Sequence, residues 1–230
     1  MLRKVRIALA LVFFTGITLL FLDFSGSLHA WLGWMARTQF LPALLATNVA
    51  VLLFLVMLTL VFGRIYCSVI CPMGVMQDII AWLGKRKKHC RYGFSKEKRV
   101  LRWMFLIVAI VAWVVGVASF VALLAPYSSY GRMVQNLFQP LYLGINNMLA
   151  LGAEHVNSYA FYSKDVWIRS LPTFIIAVVT FITVAFLALR NGRTYCNTVC
   201  PVGTILSVLA RFSWLKIRFD GEKCRSCSLC

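Results

Sequence analysis

The chain has 230 residues, 61% of them hydrophobic, with a mean hydropathy of +0.81 and a net charge of +17. Soluble domains run at about 45–50% apolar, so a basic soluble protein is excluded. The charge belongs to membrane topology and lipid headgroups and not to nucleic acid, because the basic residues flank apolar runs instead of forming a reading helix.

Arg3, Lys4 and Arg6 precede an apolar run over residues 7–22. It is long for the apolar core of a signal peptide and is read as a first membrane span. Residues 23–40 carry Trp31 and Trp34, which suits an interfacial connection. A second span covers residues 41–62, more than 20 residues without a charge, enough for the ~30 Å hydrocarbon core. Pro72 then opens a helix, since proline is tolerated at a first helical position. Val75, Met76, Ile79, Ile80 and Leu83 share a face of it, and Gly84 ends it. Residues 85–88 begin a basic run. A third span covers 103–125 and stops at Pro126. Within 126–169, Val134, Leu137, Phe138, Leu141, Ile145, Met148 and Leu149 have helical spacing. Tyr127, Tyr130, Tyr142, Tyr159, Tyr162 and Trp167 suit the depth of a membrane interface. The fourth span covers 171–189. After Pro201 a second amphipathic helix places Val202, Ile205, Leu206, Leu209 and Phe212 on one face. Alternation at Ile217 and Phe219 indicates a short strand.

The chemistry sits in two twelve-residue stretches. Gly63-Arg64-Ile65-Tyr66-Cys67-Ser68-Val69-Ile70-Cys71-Pro72-Met73-Gly74 recurs 129 positions later as Gly192-Arg193-Thr194-Tyr195-Cys196-Asn197-Thr198-Val199-Cys200-Pro201-Val202-Gly203, with seven of twelve positions identical. The frame G-R-x-Y-C-x3-C-P-x-G is an internal repeat. The glycines suit tight turns, and Tyr66 and Tyr195 suit interfacial anchors. Arg64 and Arg193 are placed to hold the cytoplasmic ends of their helices.

Seven of the eight cysteines fall in three clusters: Cys67/Cys71, Cys196/Cys200, and Cys224-x2-Cys227-x2-Cys230. Clustered spacing suits metal or redox chemistry better than a disulfide framework. Of the 24 Lys and Arg residues, three precede the first span, ten lie between the second and third, and seven follow the fourth; four lie on the other side. That asymmetry puts both termini and every cysteine on the cytoplasmic side, where disulfides are rare. Cys71 and Cys200 stand at helix starts, where free N–H groups and the helix dipole favour the thiolate. Repeats entering the cytoplasm in the same sense are related by an axis along the membrane normal. Such an axis would bring the two pairs together, as the ligands of a [4Fe–4S] cluster or of a tetrahedral zinc. Cys224, Cys227 and Cys230 match the first three positions of the ferredoxin run C-x2-C-x2-C-x3-C-P; the fourth cysteine would fall at 234, and the chain is read as part of a longer protein. Cys90, His29, His89 and His155 have no partner at ligand spacing.

The paired frames after membrane spans, followed by a ferredoxin cysteine run, resemble the membrane-bound polyferredoxins. These include the quinol-oxidising membrane subunit of periplasmic nitrate reductase systems and the membrane part of the nitrous oxide reductase regulator. The resemblance implies a multi-pass protein of the bacterial inner membrane that carries [4Fe–4S] clusters, with Cys67, Cys71, Cys196, Cys200, Cys224, Cys227 and Cys230 as cluster ligands. It implies electron exchange between the quinone pool and redox partner proteins, as an electron-transfer component or a quinol dehydrogenase subunit. The expected architecture is all-α. Four transmembrane helices form two parallel-repeat hairpins, each followed by a C-x3-C-P turn and an amphipathic helix. Residues 1–100 form the first repeat, 101–215 the second, and 216–230 the start of a ferredoxin-type domain. A thiol–disulfide oxidoreductase and a thiolate metal-handling assembly factor are the competing readings. For the quinone, Trp34, Arg37 and the aromatic 126–169 connection are the candidate contacts.

Overall fold

A computed structural model describes residues 2–23, 26–46, 48–87, 99–154 and 170–215. Among the described residues every regular element is a helix and none is a strand. The strand expected at Ile217 and Phe219 lies outside them.

Helix α1 (Leu2–Leu22) runs unbroken through the first apolar stretch. Asp23 then turns the chain: its carboxylate accepts the N–H groups of Gly26, Leu28 and His29 at 3.1, 2.9 and 3.3 Å, satisfying donors at the start of α2 (Ser27–Arg37) that no helical carbonyl reaches. Helix α2 folds back on α1, with the rings of Phe13 and Trp34 edge to face at 6.0 Å.

The stretch 41–62, expected as one span, is two helices, α3 (Phe40–Leu45) and α4 (Val49–Phe62). The break has a local cause. Asn48 takes a non-helical backbone and its side chain accepts the Val51 N–H at 3.4 Å, capping α4; asparagine competes for backbone groups in this way and favours helix starts over interiors. After α4 come a short helix α5 (Ile65–Val69) and then α6 (Pro72–Lys87). Helix α6 does not end at Gly84. That glycine is a packing point, where a Cβ would stand 2.5 Å from the Leu189 Cδ2. The expected apolar face is shifted as well: Val75 and Met76 are buried, but Leu83 is exposed and Gln77 is fully buried.

The expected third span, 103–125, is likewise divided into α7 (Arg99–Val114) and α8 (Ala118–Leu124). Gly116 sits between them with φ of 84°, and the Val117 N–H reaches back to the Ala112 carbonyl at 2.9 Å. A left-handed glycine with that long back-bond is how helices commonly stop. Pro126 opens α9 (Pro126–Met133), which passes through a π-helical turn (Val134–Phe138) into α10 (Gln139–Glu154). The helical expectation for this connection holds; Val134, Leu143 and Ala150 are buried, while Leu141, Ile145, Met148 and Leu149 are exposed. Helix α11 (Leu171–Asn191) is continuous, as expected. Then follow α12 (Thr194–Thr198), α13 (Pro201–Leu209) and a 3-10 turn, Ala210–Phe212. Val202 and Leu206 of α13 are buried and Phe212, expected on the same face, is exposed.

Among the described residues two helices are long and apolar enough to cross a membrane, Lys4–Leu22 and Leu171–Arg190, with mean hydropathies of 2.3 and 2.4. Only 22% and 17% of their most apolar windows is buried. The packing interlocks the two halves. Helix α6 lies on α11, and α13 lies on α4 and α7. Beyond the 3-10 turn, the Trp214 and Leu215 N–H groups bond the Leu60 and Val61 carbonyls at 2.8 and 3.2 Å, tying the exit of the second half to the end of α4.

Candidate metal centre

The two cysteine frames share their backbone turn. Each begins where a long helix ends in a glycine with positive φ, 70° at Gly63 and 72° at Gly192. The next residue has the same backbone in both copies, φ/ψ of −79°/38° at Arg64 and −81°/37° at Arg193. In the first copy the Ile70 and Cys71 N–H groups share the Tyr66 carbonyl, both at 3.0 Å. In the second the Val199 and Cys200 N–H groups share the Tyr195 carbonyl at 3.0 and 3.1 Å. Proline then starts the next helix. Cys200 is the cap of α13, its sulfur taking the Gly203 N–H at 3.4 Å. The last glycine of each frame lets α6 or α13 press on the preceding turn. A Cβ at Gly74 would lie 2.0 Å from the Cys67 carbonyl oxygen, and one at Gly203 would lie 2.2 Å from that of Cys196.

The fold brings the two pairs into one place. Cys67, Cys71, Cys196 and Cys200 are all buried, none is in a disulfide, and all are members of a single apolar cluster built from both halves. Burial pushes the Cys71 thiol up to about 12, and the neighbouring Cys67 adds to it. Burial likewise raises Cys196 and Cys200, and in each the thiols of the other frame push further in the same direction. Cys67 is raised by burial and partly relieved by the Arg64 and Arg193 guanidinium groups. The expectation that the helix starts favour thiolate is therefore corrected. The N–H groups of Met73 and Gly74, and of Val202 and Gly203, do lower the capping thiols, but desolvation outweighs them. A test on the metal-free protein follows: iodoacetamide labelling of Cys71 at pH 8 should run far slower than that of a free cysteine. Its rate should keep climbing above about pH 10, where a free thiol has levelled off, and fast labelling at pH 8 would contradict the assignment.

Among the described residues no group of three or more His, Cys, Asp and Glu side chains closes to the span of one metal ion. Thiolates on one tetrahedral zinc stand roughly 4 Å apart. Those around a [4Fe–4S] cube stand about 6–7 Å apart. The donor chemistry, four buried thiols, fits an iron–sulfur cube better than a single hard cation.

Polar side chains stitch the frames across the repeat. The Arg193 guanidinium forms a two-point ion pair with Asp78 of α6, its Nε at 2.6 Å from Oδ1 and Nη2 on Oδ2. Arg64 donates to the Asn197 Oδ1 at 2.8 Å. Gln77 of α6 donates from Nε2 to the Cys196 Sγ at 3.1 Å. So each frame arginine ties down the other half, a role more specific than holding its own helix end. Tyr66 and Tyr195 are not interfacial anchors but buried pegs. The Tyr66 hydroxyl donates to the Gln39 Oε1 and accepts the Phe40 N–H, both at 3.0 Å, while the Gln39 Nε2 holds the Ile70 carbonyl at 3.1 Å. The Tyr195 hydroxyl reaches the Leu124 carbonyl at 3.4 Å. Gln39, Gln77, Asp78 and Asn197 carry no spacing signal. The polar pair Gln77-Asp78 inside an apolar helix was the one visible hint.

Of the other candidates, Trp34 is exposed and meets Phe13. Tyr130 is buried, its hydroxyl 2.7 Å from that of Thr18, and Tyr127 stacks near Phe21 at 5.1 Å, so these two tyrosines build the core. Cys90, His89, His155, Tyr159, Tyr162, Trp167, Cys224, Cys227 and Cys230 lie outside the described residues.

A family model described as a 4Fe-4S binding domain matches the chain twice, over residues 44–91 and 172–220, one match on each cysteine frame. Among curated proteins, YccM of Escherichia coli (strain K12), named for electron transport, is 24% identical over 196 residues, covering 83% of this chain and 46% of YccM. The methylamine utilization ferredoxin-type protein MauN of Paracoccus denitrificans (strain Pd 1222) is 22% identical over 202 residues, 87% of this chain and 56% of MauN. The regulatory protein NosR of Stutzerimonas stutzeri is 20% identical over 181 residues, 74% of this chain and 20% of NosR. The chain thus spans about half the length of YccM and MauN. No solved structure matches it. The match of a 4Fe-4S binding domain on each of the two cysteine frames, together with relatives named as ferredoxin-type and electron transport proteins, supports a 4Fe–4S polyferredoxin-like family for the chain.

Proposed function

We propose that the chain is the membrane-embedded part of an iron–sulfur electron carrier that passes electrons between the quinone pool and redox partner proteins. Cys67, Cys71, Cys196 and Cys200 hold one [4Fe–4S] cluster at the cytoplasmic edge of the bacterial inner membrane. When bound, the cluster supplies one-electron transfer. The chain's own residues do the rest: the twin turns present four sulfurs from two sides, and the apolar cluster excludes water. The cross-repeat ties Arg193–Asp78 and Arg64–Asn197 keep the two halves in register. Cys224, Cys227 and Cys230 begin a second, ferredoxin-type site in 216–230, with 1–100 and 101–215 as the two membrane repeats.

The observation that carries this reading is that four buried thiols, two from each repeat, belong to one apolar cluster, in which Cys67 and Cys71 help to raise Cys196 and Cys200. Buried thiols held well above neutrality bind protons until a metal replaces them, since coordination deprotonates a thiol outright. The membrane half of the reading rests on the two long apolar helices and on an exposed apolar surface that includes Leu11, Phe54, Met57, Ile107, Val111, Ile182 and Phe186. An apolar surface of that extent marks a membrane or partner contact. The two broken segments, α3–α4 and α7–α8, complete four passes, their freed backbone groups being satisfied by caps and neighbours as membrane helices require. Both termini then face the cytoplasm, in keeping with the positive-inside count.

Anaerobic purification of the full-length protein from detergent-solubilised membranes, with iron and sulfide analysis, tests both halves. Equimolar iron and sulfide that fall by one cube when the four cysteines are replaced together support the reading. A full complement in the absence of all four, or recovery of the protein without detergent, would sink it.

A further inference from the structure

We propose that Gln77 is a positioning residue: it donates its amide N–H to the Cys196 sulfur and so sets one ligand of the site apart from the other three. The inference rests on the four-thiol cluster reading above.

Gln77 comes from the first repeat and Cys196 from the second. The side chain is fully buried. Its Nε2 donates to the Met73 carbonyl at 3.3 Å and to the Cys196 Sγ at 3.1 Å, while its Oε1 is buried with no hydrogen-bond partner. The orientation is fixed, because the Met73 carbonyl can only accept and a flipped amide would set two oxygens face to face. A buried amide with an unpaired oxygen is a costly choice at a position where an apolar residue would pack. The repeat shows that an apolar residue does pack there. The counterpart of Gln77, 129 positions on, is Leu206, equally buried and without a donor. The capping sulfurs take backbone N–H groups alike in both repeats, from Gly74 at Cys71 and from Gly203 at Cys200, whereas the side-chain N–H at Cys196 has no counterpart from Leu206.

A hydrogen bond to a ligand sulfur favours the more negative, reduced state of an iron–sulfur centre and raises its potential. Gln77 therefore makes the site easier to reduce than a symmetric, all-apolar setting would.

The test uses full-length protein, purified anaerobically as Gln77→Met, close in shape but without a donor, and as Gln77→Leu, the residue the second repeat uses. The redox signal of the site is identified as the one missing from the Cys196→Ser protein. Both variants should keep wild-type iron and sulfide. Held at the wild-type midpoint, they should show the reduced-to-oxidised ratio fall about three- to tenfold, tenfold being 59 mV for one electron. An unchanged midpoint at full iron content overturns the inference, and so does loss of the cluster from both variants. If wild-type protein has no signal that Cys196→Ser removes, the cluster reading itself falls, a result distinct from an unshifted midpoint.

Discussion

Serine at any one of Cys67, Cys71, Cys196 or Cys200 is expected to remove most of the iron bound at the membrane site, and the four losses are expected to be alike. Changing a residue that merely orients a metal ligand costs 10–100-fold in affinity; removing a ligand itself should cost more than about 100-fold. The losses should be alike because the proposed site takes the four thiols, which share one apolar cluster, as a single donor set. Serine also leaves a buried hydroxyl at a place with few partners, worth about 1–3 kcal/mol, so iron must be counted per folded molecule. Replacing Cys90, which lies in neither frame, should cost no iron. Iron and sulfide per folded protein, with the electron paramagnetic resonance signal of the reduced sample, decide the matter. Retention of full iron in any one of the four serine variants would remove that cysteine from the site.

Alanine at Gly74 or Gly203 should unfold the site without touching a thiol. The added methyl would lie 2.0 or 2.2 Å from a backbone carbonyl oxygen of the same frame, and a backbone atom in a capped turn cannot swing away as a side-chain tip can. Helix α6 or α13 would have to lift from its turn, at a cost of about 3 kcal/mol or more. Gly144 is the control. It lies within α10, and a Cβ there meets nothing within 4 Å. Alanine at Gly144 should stabilise by about 1 kcal/mol, the ordinary helical preference. Thermal unfolding of the three variants in one detergent separates the cases. If Gly74→Ala and Gly144→Ala melt together, the close approach is not what holds the frame.

Local signals in the chain foretold a good part of this. Pro72 and Pro201 start helices, Gly63 and Gly192 turn the backbone with positive φ, and the long uncharged stretch at 171–189 is one helix. These follow from backbone sterics and from hydropathy, which act within a few residues. The misplaced breaks were local as well, but they hung on single residues that an average over a window hides. Asn48 caps a helix inside an apolar run, and Gly116 stops one.

The two frames, their seven shared positions and the kind of ligand they offer were determined by the sequence alone, because a repeat and a cysteine spacing are properties of the one-dimensional chain. Only the tertiary structure decided how those cysteines behave. Packing α6 on α11 and α13 on α4 drew four thiols into one dry cluster and turned the expected lowering of the capping thiols into a rise, since desolvation depends on what surrounds a group and not on what precedes it in the chain. The same packing carried Gln77 and Asp78 across to Cys196 and Arg193, more than a hundred residues away. Tyr66 and Tyr195 were buried by it too, because a phenol with partners at hand is held better inside than at a wet edge.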